Sequence, residues 1–254
     1  TDDAGTAMEL LTVRAERALQ AGELATMLSE YQRASDLAAS RLGDASKAHE
    51  LLVAALAHIP DPHPPELSAV RYDAPGAPEV AREVADRVGA TPDTSWGLDH
   101  GTWTVLHHLY PAADVPVFQL SIDYDKPAAF HHALGRELAA LRDKGVLIIG
   151  SGNVVHNLRA TDRVEGLSSQ ASRPWAQAFD DAVKRALATR DDFGLVRYER
   201  LAGDAAATAV QTPDHYFPFL YALGASDSSS EKAVSVFEGF QSGTLSMRCV
   251  QFGA

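Results

Sequence analysis

The run Gly145-Val-Leu-Ile-Ile-Gly-Ser-Gly-Asn-Val-Val-His-Asn-Leu158 constrains this chain more than any other. Its apolar, β-branched first half ends in Gly-Ser-Gly, which predicts a buried strand opening into a tight turn. The turn delivers His156 at the carboxyl end of that strand, the place where open α/β sheets carry their chemistry. Two further histidines sit in similar settings: His100 in Trp96-Gly-Leu-Asp-His-Gly-Thr-Trp103, and His215 in Pro213-Asp-His-Tyr-Phe-Pro218.

The 254 residues, 46% of them hydrophobic, suffice for one main α/β domain with a full core. Lys and Arg number 22 against 34 Asp and Glu, a net charge of −12 with no dense basic run. Such a field repels phosphate backbones and anionic bilayers, so neither nucleic acid nor membrane is an expected partner. The single Cys249 excludes an internal disulfide and fits a reducing compartment. No apolar run approaches the roughly 20 residues that span a bilayer, and no secretory leader is recognisable. A cytoplasmic location is expected.

Residues 1–58 differ in character from the remainder of the chain. They lack proline, and Leu24, Met27 or Leu28, Tyr31, Ala34, Ala38 and Leu42 recur at helical spacing. The pattern predicts helices near 6–20, 23–41 and 45–57, broken at Gly22 and Gly43, with Asp44 as a cap. The segment Ile59-Pro-Asp-Pro-His-Pro-Pro65 is a stiff connector, because each proline removes a donor and restricts its predecessor. From about residue 72 helices and strands alternate. Helices are expected near 78–88, from about Gly101 to Leu109, over 127–144, 174–188 and 214–223. Strands are expected at 115–122 and 146–149, which with helix 127–144 make a βαβ unit, and a closing pair at 233–237 and 244–252. The expected fold class is α/β: a mostly buried mixed sheet flanked by helices, residues 64–254, preceded by a helical segment, residues 1–63.

Ten histidines are present, and most need no chemical role. His107 and His108, like His131 and His132, are neighbours on predicted helices, about 100° apart, and cannot both face one site; they read as surface or packing residues, as does His49. His100, His156 and His215 differ because glycine or proline shapes the backbone beside each. Each alone fits a helix cap or a buried hydrogen-bond network. Together they suggest one site, since imidazole is both a common metal ligand and the side chain that titrates near neutrality. Cys249 lies in a predicted apolar strand, Ser95 and Ser151 lack a nucleophile-elbow context, and Gly150-Ser-Gly152 does not continue into a dinucleotide fingerprint.

These segments, with the strand Pro116–Ile122, Ser246-Met-Arg and Pro64-Pro-Glu-Leu-Ser-Ala-Val-Arg-Tyr-Asp-Ala-Pro-Gly76, resemble the class III (LigB-type) extradiol ring-cleaving dioxygenases. The likeness is strongest to the branch containing the DOPA 4,5-dioxygenases and covers roughly residues 64–254. It implies a non-haem metal, usually Fe(II) and replaceable by zinc, that binds a catechol-type substrate and O2. It matches His215 to a metal ligand, His156 to the acid/base and His100 to a second pocket histidine near the substrate. An imidazole near pKa 6.5 suits proton shuttling, and an open coordination position suits both substrates.

The amino-terminal part departs from that family. No His-Gly-Ser-Pro turn occurs, and residues 1–58 read as helices where the family has strands carrying the other ligands. Leu51-Leu-Val-Ala-Ala-Leu-Ala-His58 ends an apolar run in Ala-His, like the family's second strand, which makes His58 a metal-ligand candidate; the alanine content equally fits a helix ending in histidine. His63, in the connector, is the other candidate. Two readings are open: an extradiol dioxygenase acting on a DOPA-like catechol in aromatic metabolism, or a family-derived protein without a complete metal site, acting in binding or assembly. A helical segment in place of strands leaves a sheet edge to be covered, so a homo-oligomer is expected.

Overall fold

Small residues at helical spacing build the first of two units into which the chain divides, Thr1–Arg71 and Tyr72–Ala254. A computed structural model describes residues 2–44, 47, 48, 50, 51, 70–161 and 172–253. In the first unit α1 (Asp2–Gln20) packs on α2 (Leu24–Leu37). Leu11, Ala15 and Ala18 meet Met27, Tyr31, Ala34 and Ala38 in one buried cluster, the alanines allowing the helices to approach closely. The chain reverses at Gly22 (φ +75°), where the Glu23 N–H donates to the Ala18 carbonyl at 2.8 Å and the Gly22 N–H to that of Leu19 at 3.0 Å, a Schellman end.

Helix α2 continues into a wider π turn, Ala38–Leu42, closed at Gly43 (φ +66°). The Asp44 carboxylate then accepts from the Lys47 N–H at 2.8 Å, so both expected breaks and the expected cap are present. Lys47, Ala48, Glu50 and Leu51 are helical; the rest of the predicted 45–57 helix, and His49, His58 and His63, lie outside the described residues.

In the second unit the helices fall where periodicity placed them: α3 (Pro78–Val88), α4 (His100–Leu109), α5 (Ala128–Leu138) running into a 3-10 turn (Ala139–Lys144), α6 (Pro174–Thr189) and α9 (Phe217–Gly224). Two short helices, α7 (Asp192–Val196) and α8 (Asp204–Ala209), fill the stretch between α6 and α9. The expected closing strands pair antiparallel as β1 (Ala233–Phe237) and β4 (Cys249–Phe252), with a bulge between Ser235 and Phe237. Between them β2 (Phe240–Gln241) and β3 (Leu245–Ser246) form a second antiparallel pair around Ser242 and Gly243, both at positive φ.

The expected strands 115–122 and 146–149 require a correction. Neither joins a hydrogen-bonded ladder among the described residues; the Val117 N–H reaches Pro75 O at 2.8 Å and the Val146 N–H reaches Leu141 O at 3.1 Å, and Val117 makes one isolated parallel bridge to Gly76. Phe118, Leu120, Ile122, Val146 and Ile148 do pack on a core of Val84, Leu138, Leu141 and Tyr221. Leu147 (63% exposed) and Ile149 (43%) face outward, so burial is one-sided rather than two-sided. Alternation in a sequence records which face is covered; it does not record which chain supplies the neighbouring hydrogen bonds.

The larger core gathers Phe179, Val183 and Leu187 of α6 with Val154, Val155, Leu195, Tyr216, Leu220 and Leu223. Behind it Asp180 and Arg248 form a buried ion pair. Arg248 Nε donates to Asp180 Oδ1 at 3.0 Å and its Nη2 donates to Oδ2, while the Ser246 hydroxyl donates to Oδ1 at 2.6 Å. Arg248 Nη1 also pairs with the exposed Glu238 at 3.1 Å, so Asp180→Ala leaves the buried charge only that partner and is expected to destabilise the fold by about 3 kcal/mol, read from urea unfolding midpoints.

His131 is fully buried, stacked on Phe217 with ring centroids 4.1 Å apart. Its Nε2–H donates to Lys126 O at 3.3 Å and its Nδ1 accepts from the Tyr221 hydroxyl at 3.1 Å, so the neutral ring is satisfied. Burial pushes its pKa below the ordinary 6.5, against a smaller opposing effect of the Lys126 carbonyl. The unfolded chain therefore takes up this proton first. Stability is complete above the unfolded value and is lost as pH falls below it. Urea unfolding at pH 7.5 and 5.5 should show this loss, with a shallower fall in His131→Gln.

Candidate active site

A capped helix start fixes the first of the site histidines. Asp99 is the N-cap of α4, its Oδ1 accepting from the Thr102 N–H at 2.9 Å, which places His100 in the first turn with an exposed side chain. Gln119 locks that cap: its Oε1 accepts from the Asp99 N–H at 3.1 Å and the Thr102 hydroxyl at 2.8 Å, and its Nε2 donates to Asp99 Oδ2 at 2.8 Å.

His156 lies in a short extended segment held on both sides. It bridges Val210 in parallel and Leu245 of β3 antiparallel, with its N–H donating to Ala209 O at 2.9 Å and the Ser246 N–H donating to Val155 O at 3.0 Å. His215 ends a 3-10 turn, Pro213–His215, and is anchored by its neighbour Tyr216, fully buried with its hydroxyl donating to Leu195 O at 3.0 Å.

The Gly150-Ser-Gly turn joins these elements. A Cβ on Gly150 would sit 2.1 Å from Pro218 O, and one on Gly152 would sit 2.2 Å from His215 O, distances no side chain accepts. The close approach lets the Asn153 N–H donate to His215 O at 3.0 Å. As a result the rings of His156 and His215 stack, centroids 3.5 Å apart and planes within 9°.

Burial holds both rings below the ordinary histidine pKa. For His156 the charge of His215 adds to the lowering and Asp214 opposes it; for His215 Asp214 opposes burial and His100 adds to it. The Asp214 carboxylate lies 3.7 Å from His215 Nε2. His215 Nδ1 is buried without a hydrogen-bond partner, so this nitrogen is committed to nothing in the protein. His156 and His215 thus come together, with the charge of His100 felt at His215, while His58 lies outside the described residues. Among the described residues no group of three His, Cys, Asp or Glu side chains is arranged to hold a metal ion. Sequence reasoning missed Gln119, Ser151 and Asn153, whose roles depend on partners far away in the chain; Asp99 had a local signal, a capping residue directly before a helix.

Residues 59–248 match the family model described as the catalytic LigB subunit of aromatic ring-opening dioxygenase. The chain belongs to the LigB family. The 4,5-DOPA dioxygenase extradiol of Escherichia coli K12 is 43% identical over 197 residues, which cover 75% of this chain and 70% of that protein. The protein of the same name from Beta vulgaris is 35% identical over 195 residues, 74% of this chain and 70% of its own. A crystal structure of an uncharacterized protein from E. coli K12 superposes with a TM-score of 0.64 at 43% identity, covering 72% of this chain and 75% of that one. This LigB-family chain is an α/β protein with a helical amino-terminal segment, and its activity is that of an extradiol ring-cleaving dioxygenase. No helix among the described residues is long and apolar enough to cross a membrane.

The LigB-type site depends on a backbone contact that tolerates no Cβ. Gly152→Ala must push the 150–153 turn away from His215 O. The expected cost is about 1–3 kcal/mol of stability, measured by denaturant unfolding, with changed His156 and His215 ring signals in the NMR spectrum.

Proposed function

We propose that this chain opens the ring of a DOPA-like catechol with O2, using His156 as acid/base, His100 to orient the substrate and His215 as a ligand of a non-haem metal, Fe(II) or, without oxygen chemistry, zinc. The observation that carries this reading is the stacked His156–His215 pair. Imidazole lone pairs lie in the ring plane, so two parallel rings point their nitrogens along separate planes and suit two different tasks. The unpartnered Nδ1 of His215 fits a ligand. The depressed pKa of His156 keeps it neutral near pH 7, ready to take a catechol hydroxyl proton and return it during ring opening.

The metal's contribution when bound is to hold catecholate and O2 side by side and polarise both. The residues of this chain do the remainder: His156 moves the proton and His100 approaches from the first turn of α4. His58 is the second ligand that the sequence offers, and His58→Ala is expected to lower the bound metal measured after Fe(II) reconstitution. Cytoplasmic location and homo-oligomeric assembly complete the reading.

The deciding experiment reconstitutes the purified protein with Fe(II), measures bound metal, and follows oxygen uptake and the coloured ring-fission product with DOPA. One equivalent of metal and turnover support the reading; finding neither, after reconstitution, overturns it. In an active protein His215→Ala is expected to abolish metal binding. His156→Ala should retain the metal and lose about 10²- to 10⁴-fold in turnover, the range for a lost acid/base group.

A further inference from the structure

We propose that Ser151 is a positioning residue, whose hydroxyl sets His100 relative to the His156–His215 pair. The proposal rests on the substrate-orienting role of His100 in the proposed function. It begins with the division of labour within residues 150–156. Gly150 lies against Pro218 O and Gly152 against His215 O, while the main chain of Asn153 and His156 bonds to His215 and Ala209. The Asn153 side chain donates to Ser246 O at 2.7 Å, tying the segment to β3. These contacts register His156 with His215, but none reaches α4.

Ser151 makes that connection. Its Oγ donates to Gly101 O at 2.6 Å, the carbonyl next to His100 in the first turn of α4. A Cβ added to Gly101 would lie 3.7 Å from Ser151 Oγ, in ordinary van der Waals contact. The cap made by Asp99 and Gln119 sets the local shape of this turn, whereas the Ser151 bond sets its position relative to the other two histidines. Glycine on both sides explains why a serine does this. The backbone at Gly150 and Gly152 is pressed against residues 215–218, so the side chain between them is the part of the turn available to reach another element.

Ser151→Ala removes the tether and leaves the cap, the glycine contacts and the ring stack in place, so the protein is expected to fold, with an unfolding midpoint lowered by no more than one hydrogen bond accounts for. Ser151→Thr keeps the hydroxyl. In ¹H–¹⁵N spectra of the histidine rings, assigned with His100→Ala, Ser151→Ala should shift and broaden the His100 signals and leave those of His131 in place; Ser151→Thr should restore them. With Fe(II)-loaded protein, the affinity for 4-nitrocatechol, read from its absorbance, should weaken about three- to tenfold in Ser151→Ala, the scale of one hydrogen bond. On a His100→Ala background the same substitution should cost nothing, because the effect passes through His100. Unmoved His100 signals, or an equal affinity loss on both backgrounds, would overturn the proposal. If the His100 signals move as expected while the parent does not bind 4-nitrocatechol, the tether stands and the proposed function falls.

Discussion

Main chain pressed against main chain is the contact on which this site depends. Residues 150–153 approach residues 215–218 so closely that neither Gly150 nor Gly152 has room for a Cβ. At that distance the Asn153 N–H reaches the His215 carbonyl, and two histidines 59 positions apart in the chain meet with their rings parallel. Register set by backbone atoms is stiff, because no rotatable side-chain bond separates the contact from the chain it positions. Long side chains bridging the same gap would each carry rotamer freedom that must be lost on ordering.

Burial then determines charge. It disfavours the charged form of both rings, the charge of His215 adds to this at His156 and that of His100 at His215, and Asp214 resists at both. A neutral imidazole offers a lone pair, which serves a metal ligand and a proton acceptor equally. What separates the two tasks is surroundings. His156 is pinned by bridges to Val210 and Leu245, whereas His215 is held through Tyr216 and keeps Nδ1 without a partner.

Much of this was legible in the sequence, for reasons that differ by element. Helix ends declared themselves through local chemistry: Gly22 and Gly43 at positive φ, Asp44 as a cap. His100, His156 and His215 stood out because glycine and proline beside them shape the backbone. The extended runs 115–122 and 146–149 were half legible. Their apolar residues reported a covered face, truly, but strand pairing is a property of two chain segments, and only one of each pair is written in a local pattern. Gln119 and Ser151 were illegible for a related reason. A side chain bonded to a main-chain atom 50 residues away, as Ser151 is to Gly101, leaves no periodicity to read. His131 and His132 show the same limit, since adjacency on a helix excludes a shared role yet does not say that His131 is the fully buried one.

Support for the site extends well beyond the histidines. The Asp180–Arg248 pair sits behind β3, with the Ser246 hydroxyl bonded to Asp180 and the Arg248 Nη1 donating to Ser235 Oγ of β1 at 2.9 Å. Strand β3 in turn takes the Val155 carbonyl and flanks His156. A buried ion pair contributes little net stability over apolar residues of the same size, because desolvation offsets most of its attraction. Its bonds are directional, however, and here they fix α6, β1 and β3 at one point. An apolar replacement of equal volume would fill the space and still leave β3 free to slide by fractions of an ångström. The ring stack lies one strand away from that freedom, and a displaced His156 would lose its register with His215. The Asp180–Arg248 pair is therefore better understood as a determinant of where His156 sits than as a source of folding energy.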